Sequence, residues 1–208
     1  MSEPIRFYLD FASPYSYFAL APLQKLALAH GRPLELRPIL LWAVFKQQGV
    51  ENPLGKPARR DYFLQDVARS AAFFDVPFRI PEPLQISAHL AARLFHARTA
   101  VASEVGPALA AEIFESFFVK GHDITKPEVL AALPSLAGLP ADTVREMIEG
   151  ATGRERLAAA IDEASTAGVI GVPFVTLDGE SFFGADRLPQ IAWRLERQHS
   201  TAGTAARP

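Results

Sequence analysis

The stretch "DFASPYSYFAL", residues 10–20, decides the fold, because it joins a short apolar segment to an aromatic-rich helical pattern. The segment that leads into it, "IRFYLD" (5–10), is typical of a buried strand. Ser13 followed by Pro14 is a common helix start, since a serine hydroxyl can cap the first turn and proline suits the first helical position. The helical pattern then continues to about His30.

A second strand, a long helical block and a hairpin follow this helix. Residues 33–41, "PLELRPILL", begin with the alternation of apolar and polar residues that a strand shows. From residue 42 to about 167 the apolar residues fall mostly at helical spacing. The pair Asp178-Gly179 separates "PFVTL" (173–177) from "SFF" (181–183), which predicts a hairpin. A last helix carries apolar residues on one face, namely Leu188, Ile191, Ala192 and Leu195.

The order β-α-β, helical block, β-β-α predicts an α/β protein in which a large all-helical insertion interrupts a small sheet domain. The sheet domain is expected to be discontinuous and to comprise residues 1–41 and 168–198. The helical insertion is expected to comprise residues 42–167. The polar, glycine-containing end of the chain, residues 199–208, is expected to be a disordered tail.

Composition excludes several classes of protein. The chain has 208 residues, 49 % of them hydrophobic and 21 % charged, which is close to the globular average. A formal net charge of −2 argues against a general nucleic-acid binder. The sequence has neither an apolar run long enough to span a membrane nor a signal-peptide pattern, so a cytoplasmic protein is expected. With no cysteine, disulfides and intramolecular dithiol chemistry are excluded.

Ser13 has two interpretations. The simpler one is a helix cap. The functional one starts from thiol-redox proteins, in which a strand-to-helix turn of this kind carries a cysteine where Ser13 stands. Ser13 itself is not expected to be a nucleophile, because no Gly-x-Ser-x-Gly pattern or His-Asp partner accompanies it. A hydroxyl at a helix N-terminus can instead donate to an anion, and a thiolate supplied by a small molecule suits that position.

A second stretch, "GVIGVPFVTLDGESFFGADRL" (168–188), can also carry chemistry. The backbone beside Pro173 can pair with an extended peptide ligand, although a proline at the start of a strand is common without any function. The amides that follow Gly184 can hold a carboxylate, and Asp186 can accept from an ammonium group. The alternative for Asp186 is a capping residue beside a solvated Arg187.

No metal site is expected. His89 and His96 are seven residues apart and can share a helix face, but no third ligand is apparent, so a surface or core role is favoured. Asp61 and Asp66 are five residues apart, which does not bring them onto one helix face, and both are interpreted as solvated.

Taken together, four motifs resemble the 2-hydroxychromene-2-carboxylate isomerase family, which is grouped with kappa-class glutathione transferases and DsbA-like thioredoxin-fold proteins. They are "FYLDFASPYSYFAL" (7–20), "NPLGKPARRDYFLQDVAR" (52–69), "FFVKGHDITKPEVL" (117–130) and "GVPFVTLDGESFFGADRL" (171–188). The resemblance covers about residues 5–198. It implies a thioredoxin-like domain with a helical insertion, a homodimer, glutathione as cofactor and a small aromatic substrate.

The resemblance also implies glutathione contacts for particular residues. Ser13 would hydrogen-bond the glutathione sulfur, so the thiol would come from the cofactor. The backbone of Val172 would pair with the glutathione peptide, and Pro173 matches the family's cis-proline. Asp186 would face the γ-glutamyl ammonium. Ala185 stands where relatives often have Ser or Asn, which would leave backbone amides to hold the γ-glutamyl carboxylate.

Further matches concern the thiol and the substrate. Asn52 and Pro53 match a loop beside both. Arg59 falls near a basic residue that meets the glycyl carboxylate, with Arg60 or Lys56 as alternatives. The walls of an aromatic substrate pocket are assigned to Phe11, Tyr15, Trp42 and Phe183. The substrate carboxylate is assigned to Lys46, Arg59 or Arg60.

Three functional classes follow from these residues. The first is glutathione-dependent isomerisation by reversible thiolate addition to a conjugated keto acid, which needs an activated thiolate, a dry aromatic pocket and a cation. The second is kappa-like transfer of glutathione to an electrophile. The third is a non-catalytic glutathione- or peptide-binding module, which would not need the hydroxyl of Ser13.

Overall fold

The computed structural model describes residues 3–51, 53–83 and 85–204, with the backbone alone described from residue 198 onward. Strand β1 (Ile5–Leu9), helix α1 (Pro14–Ala29) and strand β2 (Leu34–Pro38) form the predicted β-α-β unit, in which the two strands run parallel. After α1 the chain reverses at Gly31, whose φ of +60° is a left-handed conformation that glycine adopts without steric cost.

The predicted hairpin completes the sheet. Strands β3 (Phe174–Leu177) and β4 (Glu180–Phe183) are joined by Asp178 and Gly179, whose φ angles of +49° and +81° belong to the turn that suits the twist of a hairpin. The described residues form a four-stranded sheet in the order β2-β1-β3-β4, with β3 antiparallel to β1 and to β4. The end of β1 is therefore brought beside the start of β3.

Helices occupy the chain between β2 and β3, and one more follows β4. They are α2 (Leu41–Gln47), α3 (Pro57–Phe73), α4 (His89–Val101), α5 (Gly106–Phe118), α6 (Pro127–Ala131), α7 (Ala141–Glu149), α8 (Ala151–Thr166) and α9 (Leu188–Thr204).

Helix α9 covers the first residues of the segment predicted as a disordered tail, 199–208, and the tail itself stays a prediction. The helix continues to Thr204, and residues 205–208 lie outside the described part of the chain. A helix that has already formed gains one backbone hydrogen bond for each residue it adds, so α9 can extend without new packing.

The apolar core joins the sheet to the helical block. Buried side chains from both regions form one continuous cluster, which includes Phe7 of β1, Leu94 of α4 and Phe114 of α5. A smaller cluster, Phe18, Val67 and Ala71, packs α1 against α3. The predicted α/β fold with a helical insertion is confirmed, and α3 lies close to the turn that carries Ser13. None of the helices in the described ranges has both the length and the apolar character needed to cross a membrane.

Candidate active site

Ser13 caps helix α1, as predicted. Its backbone is extended, and the N–H of Ser16 donates to its Oγ over 3.3 Å. A serine hydroxyl has two lone pairs that accept and one hydrogen that donates. Because the cap occupies a lone pair and not the hydrogen, capping is compatible with donation to an anion in front of the helix. The two interpretations of Ser13 therefore do not exclude each other.

Asp10, at the carboxyl end of β1, lies beneath this turn and was missed by the sequence analysis. Its two carboxylate oxygens accept the N–H groups of Ala12 and Leu41, each over 2.9 Å. Burial raises its pKa to about 6, against the lowering effect of these two hydrogen bonds. The bond to Leu41 also begins α2, so the strand predicted over 33–41 ends at Pro38. A lone acidic residue after an apolar strand is the signal that could have found it.

The first cavity, of about 650 Å³, opens between α3 and the turn that joins β4 to α9. One side consists of α3 residues at helical spacing, namely Tyr62, Asp66, Arg69, Ser70 and Phe73. The opposite side consists of residues near the two ends of the hairpin, namely Val172, Pro173, Phe183, Gly184, Ala185 and Asp186. Four residues to which the sequence analysis assigned glutathione contacts thus lie in one cavity, with Tyr15 of α1 at its edge.

Tyr15, Asp66 and Arg69 form a hydrogen-bonded chain on the α3 side of this cavity. The Tyr15 hydroxyl donates to Asp66 Oδ2 over 2.5 Å, and Arg69 donates to the other oxygen of the same carboxylate. The hydrogen bond from Tyr15, followed by that from Arg69, lowers the pKa of Asp66. The interpretation of Asp66 as solvated is therefore wrong, because packing of α3 on α1 brings the carboxylate against a tyrosine 51 residues away.

The opposite side of the first cavity is built on backbone contacts. The Val172-Pro173 peptide bond is cis, and the carbonyl of Pro173 accepts the N–H of Gly184 over 2.9 Å. The Gly184 amide is thus engaged inside the protein, so it is not among the amides that can hold a ligand. The Asp186 carboxylate is largely exposed and pairs with Arg187 over 3.0 Å.

The second cavity, of about 620 Å³, lies on the α2 side of the Ser13 turn. Its apolar walls include Trp42, Phe45 and Phe63, and Lys46 supplies a cation. Trp42 and Lys46 were predicted to contact substrate, and both lie here. Asp10 and Ala12 line the same cavity, whereas Tyr15 lines the first one. Ser13 is not among the residues that line either cavity, but it stands in the chain between Ala12 of the second cavity and Tyr15 of the first.

Several residues predicted to form one substrate pocket lie elsewhere in the structure. Phe11 is fully buried and packs against Phe95 and Phe114, so it is a core residue and not a pocket wall. Its ring lies against the helical block, because Phe95 belongs to α4 and Phe114 to α5. Tyr15 and Phe183 line the first cavity, apart from the second cavity that holds Trp42.

The basic and loop residues of the "NPLGKPARR" segment also need correction. Among the described residues, those that line the two cavities do not include Arg59, Arg60 or Lys56, which are exposed at the start of α3. Arg69, nearly three turns further along the same helix, is the α3 cation that lines the first cavity. Pro53 lines the second cavity, and Asn52 lies outside the described residues.

The two histidines do not form a metal site. His96 is mostly buried, and this burial lowers its pKa. Its Nε2 lies 2.8 Å from the carbonyl oxygen of Pro38. Nδ1 of His89 instead contacts Ser87. Across the described ranges, no group of three or more His, Asp or Glu side chains is arranged to hold a metal ion.

These features define a class of protein: a helix that begins at Ser13-Pro14 directly after the first strand of a mixed four-stranded sheet, and a cis-proline directly before the antiparallel strand β3. The family model for the DsbA-like thioredoxin domain matches residues 4–196, and the chain belongs to that family.

Two curated relatives fit this assignment. The chain is 28 % identical over 203 residues to glutathione S-transferase kappa 2 of Caenorhabditis elegans, a match that covers 90 % of this chain and 89 % of that one. It is also 28 % identical over 190 residues to 2-hydroxychromene-2-carboxylate isomerase of Sphingobium xenophagum, covering 90 % and 95 %. A solved structure of 2-hydroxychromene-2-carboxylate isomerase superposes with a TM-score of 0.82 at 22 % identity, covering 99 % of this chain and all of that one.

Proposed function

We propose that this protein is a glutathione-dependent isomerase that interconverts 2-hydroxychromene-2-carboxylate and trans-o-hydroxybenzylidenepyruvate, or a closely related aromatic keto acid. The observation that carries the proposal is the position of Ser13. Its hydroxyl accepts the N–H of Ser16 at the start of α1, and two separate cavities are lined by Ala12 before it and Tyr15 after it. A chain without cysteine can perform thiol chemistry only with a thiol that it binds.

Glutathione is proposed to occupy the first cavity. The backbone of Val172 beside cis-Pro173 would pair with the extended tripeptide, and Asp186 would accept from its ammonium group. The sulfur would then lie at the N-terminus of α1. There the helix dipole and the Ser13 O–H favour the thiolate over the thiol.

The aromatic substrate is proposed to occupy the second cavity, between Trp42 and Phe45, with its carboxylate near Lys46. The hemiketal ring of the chromene first opens: its ring C–O bond breaks, the proton of the C2 hydroxyl passes to the phenolate oxygen, and the cis keto acid results. The thiolate then adds to the conjugated double bond, and the electron pair moves onto the keto group as an enolate. The former double bond is now single and rotates. Collapse of the enolate then restores a double bond and expels the thiolate, so glutathione is regenerated.

The test is the rate of isomerisation, followed by absorbance with and without glutathione, for the wild type, Ser13→Ala and Ser13→Thr. Loss of an O–H donor to a developing anion is expected to lower the rate about 100-fold or more in Ser13→Ala. Ser13→Thr keeps the hydroxyl and the cap, so it should retain most of the activity. The pKa of the bound glutathione thiol, titrated by its ultraviolet absorbance, should rise in Ser13→Ala.

A structural control separates catalysis from capping. Ser13→Asp keeps a cap of comparable strength but offers no O–H and places a negative charge beside the sulfur. It should fold and yet be inactive. Equal activity of the wild type and Ser13→Ala would refute the proposed role of Ser13, and a wild type that lacks turnover would refute the named reaction.

Transfer of glutathione to an electrophile is the second candidate function, favoured by the similarity to the kappa transferase. Both reactions begin with the same thiolate at the same site. They differ in outcome, because a transferase consumes glutathione and an isomerase regenerates it. Measurement of free thiol during turnover, with chlorodinitrobenzene as a model electrophile, distinguishes the two. A non-catalytic binding module would retain glutathione binding in Ser13→Ala and show neither activity.

Homodimer formation stays a prediction from the family resemblance, and a cytoplasmic location stays a prediction from the sequence pattern. Sedimentation of the purified chain tests the first, and fractionation of the source cells tests the second.

A further inference from the structure

The first cavity offers the γ-glutamyl end of a tripeptide an obvious partner for its ammonium group but a poor one for its carboxylate. Asp186 supplies the anion for the ammonium. On the same turn, however, the Ala185 side chain has no polar atom, and the Gly184 N–H is bonded to Pro173. Arg187 lines the same cavity and is paired with Asp186 itself. A second cation, which is paired with a different carboxylate, stands on the facing side of the cavity.

Arg69 is the cation on that facing side. It lines the same cavity as Ala185 and Asp186 and projects from α3. Its guanidinium has five N–H donors, and the bond to Asp66 uses one of its terminal nitrogens. Asp66 is in turn fixed by the Tyr15 hydroxyl. The chain from Tyr15 through Asp66 thus holds the Arg69 guanidinium in place while leaving N–H groups for a second carboxylate.

We propose that Arg69 binds the α-carboxylate of the γ-glutamyl group of glutathione, opposite the Asp186 site for the ammonium. The ammonium and this carboxylate are attached to the same carbon atom, so their partners must face one short stretch of a single cavity. Asp186 and Arg69 line one cavity from opposite sides, whereas Arg59 does not line it. This inference rests on the proposed function, because it names a contact of the proposed cofactor.

Calorimetric binding of three thiols tests the assignment on the full-length chain. The thiols are glutathione, γ-aminobutyryl-cysteinyl-glycine, which lacks the α-carboxylate, and γ-glutamyl-cysteinyl-glycinamide, which lacks the glycyl carboxylate. Arg69→Gln should lower the affinity for glutathione and for the glycinamide about 10-fold or more, since a charge-assisted hydrogen bond is lost. It should leave the affinity for the aminobutyryl analogue unchanged. Arg69→Lys keeps the charge but not the planar fork, so its affinity for glutathione should fall between those of wild type and Arg69→Gln.

Two controls separate the possible failures. Arg59→Gln removes an α3 cation outside the cavity and should change the affinity for none of the three thiols. If wild type binds glutathione and Arg69→Gln binds it equally well, the Arg69 assignment is overturned and the proposed function is not. If Arg69→Gln selectively spares the glycinamide instead, Arg69 contacts the glycyl end and the assignment is also overturned. A wild type that binds no glutathione overturns both proposals.

Discussion

At the residue scale, Asp10 holds two backbone N–H groups that belong to different elements. Ala12 lies in the turn before α1, and Leu41 begins α2, so one carboxylate ties the Ser13 turn to the helix that carries Trp42. Burial penalises the charged form of this carboxylate and raises its pKa from 3.8 to about 6. The same group that organises the site is therefore costly to ionise.

This cost predicts a pH dependence of stability. The folded state binds more protons at Asp10 than the unfolded state between about pH 4 and pH 6, so the contribution of Asp10 to stability is lost as pH rises through that range. A shift of this size corresponds to about 3 kcal/mol. As pH rises from 4 to 7, the free energy of unfolding of Asp10→Asn should increase by about 2–3 kcal/mol relative to that of wild type, as measured by urea unfolding.

The difference between the two proteins isolates Asp10, because every other titrating group is common to both. Asn also offers one acceptor oxygen where the carboxylate offers two, so the variant is expected to lose a constant, pH-independent amount of unfolding free energy. A difference in unfolding free energy that stays flat from pH 4 to pH 7 would contradict the raised pKa.

At the element scale, the turn between β4 and α9 depends on Gly184. Its φ of +108° and ψ of +149° lie in a region that only glycine occupies readily. A Cβ at this position would also lie 2.3 Å from Oδ1 of Asp186. Gly184→Ala should therefore cost about 1–3 kcal/mol in stability and displace the Asp186 carboxylate. We expect glutathione binding to weaken about 10-fold or more, measured by calorimetry.

Gly179 provides a matched control at the hairpin turn. It also has a positive φ, +81°, but a Cβ there would meet no atom within 4 Å. Gly179→Ala should thus be strained and less stable, while glutathione binding stays at the wild-type level. Equal loss of binding in both variants would show that general destabilisation, and not movement of Asp186, weakens the complex.

At the scale of the whole molecule, a side-chain contact links the sheet to the helical block. The hydroxyl of Tyr8, on β1, donates to Glu163 of α8 over 3.1 Å, and Arg37 of β2 pairs with the same carboxylate. Together with the continuous apolar core, this contact predicts that the two regions unfold in one transition. The division of the chain into a sheet domain and an insertion domain describes the order of its elements. As a division into domains it stays a prediction.

A double-mutant cycle tests this link. Tyr8→Phe and Glu163→Gln should each lower the free energy of unfolding, and the double variant should show a coupling of about 0.5–1.5 kcal/mol. The control is Asp142→Asn, which removes an exposed i,i+3 ion pair within α7 and should cause no measurable change. Two separate transitions in the wild type, or additive single variants, would contradict the expected coupling.

The sequence predicted the local features of the site and missed those made by distant residues. Ser13-Pro14 as a helix start and Asp178-Gly179 as a hairpin turn follow from neighbours in the chain, and both are confirmed. The sequence did not indicate that Arg69 lines the first cavity and Arg59 does not, because several cations share one helix and only its packing selects the one that reaches the cavity. A helical stripe from Tyr62 to Phe73 was the available signal.

By itself, the sequence determined the order of strands and helices, the start of α1 at Ser13, and the exclusion of disulfides and intramolecular dithiol chemistry. Each of these depends on periodicity, on adjacent residues or on composition. Only the tertiary structure decided that Asp10 joins two elements, that Asp66 meets Tyr15, and that two cavities lie near the Ser13 turn. Asp10 and Leu41 are 31 positions apart in the chain, and Tyr15 and Asp66 are 51 positions apart. Such distances are closed by the packing of apolar faces, which local patterns do not specify.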